Sequence, residues 1–123
     1  MGARTLDEVI GSLAGFHVTP SALSRMDMVY SVRGIHTGFN PQVLLLMNGV
    51  PVQFSLQGGR PTLFRFPISS IDRIEVIRGP GSAVYGADAY AAVINVITKT
   101  ASALEKTTVG ARAGSFGGRD LWL

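Results

Sequence analysis

The chain has 123 residues, 46 % of them hydrophobic and only 15 % charged, with no cysteine and a formal charge of +3. That length supports one domain burying roughly two-thirds of its unfolded surface, and the missing cysteines exclude a disulfide framework, a thiolate metal site and a cysteine nucleophile. Nine of the eleven basic residues are Arg, scattered singly. No Lys/Arg run offers a phosphate-tracking stripe, so no nucleic-acid partner is expected, and the guanidinium fork better suits carboxylates at a protein interface.

The opening "MGARTLDEVIG" lacks the apolar region of a signal peptide, and the apolar run 43–47 is far too short to span a bilayer. The chain by itself is therefore expected to be soluble. Thr5 and Glu8 form a T-x-x-E capping box ahead of Leu6, Val9, Ile10 and Leu13, predicting a short amphipathic helix closed by Gly15. "DMVYSVRG" (27–34) reads as a strand stopping at Gly34, and "IHTGFNPQ" (35–42) as a loop. "VLLLMNGVPV" (43–52) predicts a hairpin, because Asn48-Gly49 suits a type I′ turn whose central residues both need φ > 0. Pro51 limits the second arm to an edge.

From Gln53 to Pro67 no period is visible, and a long loop is expected. "ISSIDRIEVIRG" (68–79) reads as one or two helical turns with Ile71 and Ile74 inward, flowing into a strand from Glu75 to Arg78. After the glycine loop, β-branched "AVINVITKT" (92–100) suits a strand covered on both faces. The predicted fold is α+β, a small mixed sheet of about four strands with short helices. The last stretch, 107–123, changes character, with alternating small residues, a glycine-rich turn and a further strand beginning at Leu121.

The glycine loop "RGPGSAVYG" (78–86) invites comparison with phosphate-binding loops. Gly81 and Gly86 have P-loop spacing, but Ala87 and Asp88 stand where Lys and Ser/Thr must be, and an Asp there repels phosphate. A G-x-G-x-x-G reading fails at Val84. His17 and His36 lack metal-ligand spacing, no G-x-S-x-G elbow occurs, and the acids are scattered. No catalytic residue, cofactor or metal site is predicted, and an enzyme is not expected.

In order along the chain, "TLDEVIGSLAGFHV" (5–18), "SVRG" (31–34), "VLLLMNGVPV" (43–52), and "IDRIEVIRGPGSAVYG" with "VINVITKT" (71–86 and 93–100) resemble the plug domain of TonB-dependent outer-membrane receptors. The resemblance covers 5–100, and the 71–100 block carries most of its specificity. It implies a small domain that closes a large β-barrel and contributes to uptake of a scarce nutrient such as a ferric siderophore, haem or cobalamin, driven through TonB. Two features depart from the family pattern: Ala91-Ala92 stands where Gly-Gly is usual, and Asn48 replaces an Asp.

The resemblance further implies a division into 1–104 (plug) and 105–123 (linker and truncated first barrel strand or hairpin). Arg33 and Arg78 match arginines that lock the plug to barrel glutamates. Gly34, Asn48, Gly49, Gly79, Gly81 and Gly86 serve as turn residues. His36, Phe39, Asn40, Gln53, Phe54, Gln57 and Arg60 become ligand-facing candidates on loops 35–42 and 53–66, which have no acid cluster suited to calcium. Glu75 is expected at the core edge or facing the barrel and unpaired with Arg78, and Tyr85 is expected buried with its hydroxyl bonded. The partners implied are the domain's own barrel and TonB; the sequence shows neither a barrel after Leu123 nor a TonB-box-like segment before Thr5, and the fragment is expected to self-associate weakly through an uncovered strand edge. A stand-alone secreted or periplasmic module that binds a small ligand through the same loops is the competing reading.

Overall fold

The computed structural model describes residues 3–22, 27–54, 66–100, 102, 110–113 and 119–122. Strands β1 (Phe16–Pro20) and β2 (Met28–Val32) pair antiparallel as a two-stranded ribbon. Four others form a mixed sheet in the order β4-β3-β6-β5, from β3 (Val43–Met47), β4 (Val50–Pro51), β5 (Ile71–Arg78) and β6 (Ala92–Thr98). β6 runs parallel to β3 and antiparallel to β5. The predicted small mixed sheet of four strands is present.

Helix α1 (Leu6–Gly11) forms where the periodicity places it, but its capping differs from the predicted box. Thr5 occupies the N-cap position without a side-chain cap, because residues 4–6 run antiparallel to 66–68: Leu6 N–H donates to the Phe66 carbonyl at 3.1 Å and Ile68 N–H to that of Arg4 at 3.2 Å. One orphan donor of the first turn is thus satisfied by Phe66. Glu8 instead accepts from the Arg4 main-chain N–H at 2.6 Å.

The core lies between the ribbon with α1 and one face of the sheet. Leu6 and Ile10 of α1, Phe16, Tyr30 and Val32 of the ribbon, and Val43, Leu45, Ile71, Ile94 and Val96 of the sheet form one buried cluster. On the opposite face Leu44, Leu46 and Val93 pack with Ala89. β6 therefore contributes Ile94 and Val96 to one cluster and Val93 to the other, the two-sided burial its β-branched run predicts.

Three expectations need correction. Strand β1 follows the helix where no strand was predicted, and its only strand partner among the described residues is β2. β5 begins at Ile71 after one 3-10 turn (Ile68–Ser70), not at Glu75. A register irregularity between Ile71 and Arg73 supplies an extra residue, so Ile71 and Ile74 reach the same cluster at a three-residue spacing that mimics a helix. The glycine loop also carries a short helix, α2 (Ser82–Tyr85), and a 3-10 turn (Ala87–Ala89). At the end of the chain β7 (Gly110–Ala113) and β8 (Arg119–Trp122) pair antiparallel, as the change in pattern suggested.

Candidate functional site

Strand directions decide which candidate residues meet. β5 runs toward Arg78, whose partner is Ala92, the first residue of β6; Ala92 in turn lies beside Val43, the first residue of β3. Arg78, the glycine loop 79–91 and loop 35–42 therefore share one end of the sheet. The Gln42 carbonyl joins the two loops, accepting from Ala91 N–H at 3.0 Å. After the turn at Asn48 and Gly49 (φ 51° and 81°) the chain doubles back: Pro51 lies beside Leu46, and Val52 N–H donates to the Leu45 carbonyl at 2.8 Å. That direction carries exposed Gln53 and Phe54 toward the end where loop 35–42 enters. Gln57 and Arg60 lie outside the described residues.

The glycine loop folds in on itself. The N–H groups of Gly79, Gly81, Tyr85, Gly86 and Ala89 donate to carbonyls of Ala91, Ala89, Gly81, Ser82 and Gly86 respectively. Those donors are spent internally, which removes these five amides from any cradle for an anion. Gly79 and Gly86 hold φ of 121° and 92°, which a side chain would strain. Gly81 is needed for space: a Cβ there would stand 2.6 Å from Cγ2 of buried Val93.

Arg33 and Gly34 form the two-residue turn after β2, at φ 51° and 85°. Val32 and Ile35 exchange hydrogen bonds across it at 2.9 and 3.0 Å, the geometry of a type I′ turn. A non-glycine residue in the left-handed region is uncommon, and an Arg side chain, unlike that of Asn or Asp, makes no local hydrogen bond that favours it. Both Arg33 and Arg78 are exposed. Among the described residues the ion pairs are those of Arg73, with Asp72 at 3.3 Å and Glu75 at 2.9 Å, so neither Arg33 nor Arg78 has a carboxylate partner there.

Glu75 is exposed and does not pair with Arg78, as the strand spacing predicts. It pairs with Arg73, two residues earlier on the same face, and accepts from Asn95 Nδ2 at 3.1 Å. These bonds, Arg73's foremost, hold the Glu75 carboxyl below the ordinary glutamate range, and the bond to Glu75 correspondingly raises Arg73. Asn95 continues the row by accepting from Gly49 N–H at 3.0 Å. Asn48 closes it: its Oδ1 accepts from Thr98 N–H and its Nδ2 donates to Thr98 Oγ1, both at 2.9 Å.

Of the loop candidates, His36, Phe39, Gln53 and Phe54 are exposed. Asn40 is not: it is 3 % exposed at φ 58°, its Oδ1 accepting from Tyr30 N–H at 2.7 Å and its Nδ2 donating to the Met28 carbonyl at 2.8 Å. Its amide is occupied in holding the loop to β2, so the ligand-facing reading of Asn40 is corrected to a structural one. Tyr85 is likewise corrected: it stands 42 % exposed, Val84 and Tyr90 being exposed too, and the buried, bonded tyrosine is Tyr30. Sequence reading also missed buried Asp7 and Gln42. Asp7 beside inward Leu6 was the only hint of its burial. A cleft of about 300 Å³ among the described residues is lined by Thr5, Asp7, Glu8, Gly11, Val18, Pro20 and Met28, and none of the loop candidates reaches it. Among the described residues no group of three His, Asp or Glu side chains gathers as a metal cluster, and no helix is long and apolar enough to cross a membrane, which says nothing of a β-barrel.

With this geometry stand the comparisons. The profile of the TonB-dependent Receptor Plug Domain family matches residues 1–93, and the chain belongs to that family. Among curated relatives, it is 38 % identical over 113 residues to the vitamin B12 transporter BtuB of Vibrio vulnificus, covering 92 % of this chain and 18 % of that one. It is 34 % identical over 119 residues to the BtuB of Vibrio cholerae, covering 97 % and 19 %. The chain thus spans about a fifth of the length of these relatives. Among solved structures, the unliganded ferric citrate transporter FecA superposes with a TM-score of 0.65 at 28 % identity, over 80 % of this chain and 16 % of that one. The ferric yersiniabactin uptake receptor FyuA of Yersinia pestis gives 0.63 at 27 %, over 80 % and 15 %. These matches favour the plug over the stand-alone module.

Proposed function

We propose that this plug domain closes the β-barrel of a receptor in a bacterial outer membrane and takes part in TonB-driven uptake of a scarce nutrient, of the cobalamin or ferric-chelate class that the relatives' names denote. In this reading the plug spans 1–104, and 105–123 is a linker leading into the first barrel strand. The β7–β8 hairpin lies beyond the family match and pairs only with itself among the described residues, which supports that division.

Arg33 and Arg78 fasten the plug to barrel carboxylates, and loops 35–42 and 53–66 meet the nutrient through His36, Phe39, Gln53, Phe54, Gln57 and Arg60. One observation carries the lock: both arginines are exposed, Arg78 at the end of β5 and Arg33 in the turn after β2, with no carboxylate partner among the described residues, while Arg73 on β5 has two. A guanidinium held at a strand end or in a tight turn and covered by a barrel wall makes a stronger bidentate pair than the same group in water. The test is Arg33→Ala with Arg78→Ala in a receptor carrying this chain as its plug. Increased entry of a bulky antibiotic and reduced nutrient uptake are expected; unchanged values of both would remove the lock from the account.

A further inference from the structure

Among the described residues the ribbon and the four-stranded sheet share no strand pairing. Beyond the apolar cluster, hydrogen bonds of Asn40 and Gln42 tie them together. Gln42 is fully buried, and every hydrogen-bonding group of its carbonyl and side chain is engaged by a different element. Its main-chain oxygen accepts from Ala91, the residue before β6, its Nε2 donates to the Tyr30 carbonyl in β2 at 2.8 Å, and its Oε1 accepts from Thr37 Oγ1 in the loop at 2.6 Å. Tyr30 passes the connection on, its hydroxyl donating to Oδ1 of buried Asp7 at 2.5 Å. Asp7 belongs to α1, whose first residues lie beside Pro67, near the start of β5 and so at the opposite end of the sheet from Arg78.

We infer that Thr37, Gln42 and Tyr30 are positioning residues that couple loop 35–42 to helix α1, so that the order of the loop and the stability of the helix rise and fall together. Two features make the path stiff. No buried side-chain nitrogen or oxygen among the described residues lacks a partner, and a satisfied network in a low-dielectric interior holds its geometry. Asn40, clasping both Tyr30 N–H and the Met28 carbonyl, keeps the loop in register with the strand that bears Tyr30. The inference deepens the proposed role of loop 35–42 as a nutrient contact, but the coupling exists whether or not that loop meets a ligand.

Amide hydrogen exchange on the 123-residue chain tests it without a ligand. Thr37→Val keeps the side-chain shape and removes one hydroxyl from a half-buried loop position. Exchange at Val9, Ile10 and Gly11 in α1 is expected to quicken about fivefold, the factor matching loss of one net hydrogen bond of ~1 kcal/mol, while Ile94 and Val96 in β6 keep their rates. Thr37→Ser, which retains the hydroxyl, is expected to restore the α1 rates. Because coupling is reciprocal, Tyr30→Phe should quicken Asn40 and Val43, whose N–H groups bond to the Thr37 and Asn40 carbonyls. Changes confined to 35–42 in Thr37→Val, or an equal shift of all amides, would overturn the coupling; if Tyr30→Phe does not fold, the two Thr37 variants decide. A receptor whose loop 35–42 proved irrelevant to uptake would defeat the functional reading and leave these exchange rates unaltered.

Discussion

Replacing Gly81 with Ala isolates the reason the glycine loop needs its glycines. Gly81 has φ −88°, a conformation any residue adopts, so the substitution costs nothing in backbone strain. The cost is steric: the new methyl would stand 2.6 Å from Val93 Cγ2, and Val93 is 1 % exposed in the centre of the sheet with no room to retreat. Overpacking of this kind costs roughly 1–3 kcal/mol, a large share of the ~5–15 kcal/mol that holds a domain folded. Val93→Ala alone removes two buried methyl groups and should cost roughly 2 kcal/mol. Together the changes compensate, since the methyl lost at 93 is the one struck from 81. The double variant should therefore be more stable than the sum of the singles by about 1–2 kcal/mol, within the ~0.5–3 kcal/mol of coupling measured for residues in contact. Urea unfolding followed by circular dichroism reads all four corners of this cycle. A neutral Gly81→Ala, or strictly additive losses, would refute the steric account of the loop.

Four further outcomes are expected. Arg33→Asn places a residue that tolerates φ 51° in the type I′ turn, so it should leave the chain as stable or stabilise it by up to ~1 kcal/mol while weakening the lock in a receptor; marked destabilisation of the chain would count against a strained arginine. Asn40→Ala removes two hydrogen bonds from a buried site and a residue suited to φ 58°, and should cost about 2–4 kcal/mol in chemical unfolding; a loss within ~0.5 kcal/mol would show the loop clasp to be dispensable. The Glu75 carboxyl titrates below the ordinary glutamate range, so its contribution to stability is fully present above pH ~4.3 and is lost as pH falls through its depressed folded value. An NMR titration of Glu75 at or above the ordinary value, or an unshifted acid limb in Glu75→Gln, contradicts the Arg73 and Asn95 bonds. Asn48→Asp keeps acceptance from Thr98 N–H but loses donation to Thr98 Oγ1, and because that hydroxyl can turn to donate to the carboxylate, the expected change is under ~1 kcal/mol.

What the sequence made legible depended on whether one local rule decided the structure. Asn48-Gly49 announced its hairpin because a type I′ turn requires φ > 0 twice, and residues 92–98 announced a central strand because β-branched residues stand on both faces. Where two rules compete, reading failed. The irregularity after Ile71 places Ile71 and Ile74 on one face of a strand at a helical spacing, so the start of β5 read as helix. Thr5 and Glu8 have the spacing of a capping box, but the bridge to Pro67 satisfies the helix start by other means. Of the site, Arg78 was legible as a strand-end residue, Arg33 stands one residue past its strand in the turn, and the exposure of His36, Phe39, Gln53 and Phe54 follows from their loops. Asn40 and Gln42 were not, since a polar loop residue and a buried clasp look alike until the chain segments they bridge are known.

The central claim, that this domain closes a barrel, is tested most directly by conductance. A receptor carrying this chain as its plug, reconstituted in a planar bilayer, should be nearly silent, and deletion of residues 1–104 should open a large, steady pore. Equal conductance with and without the domain would contradict the account.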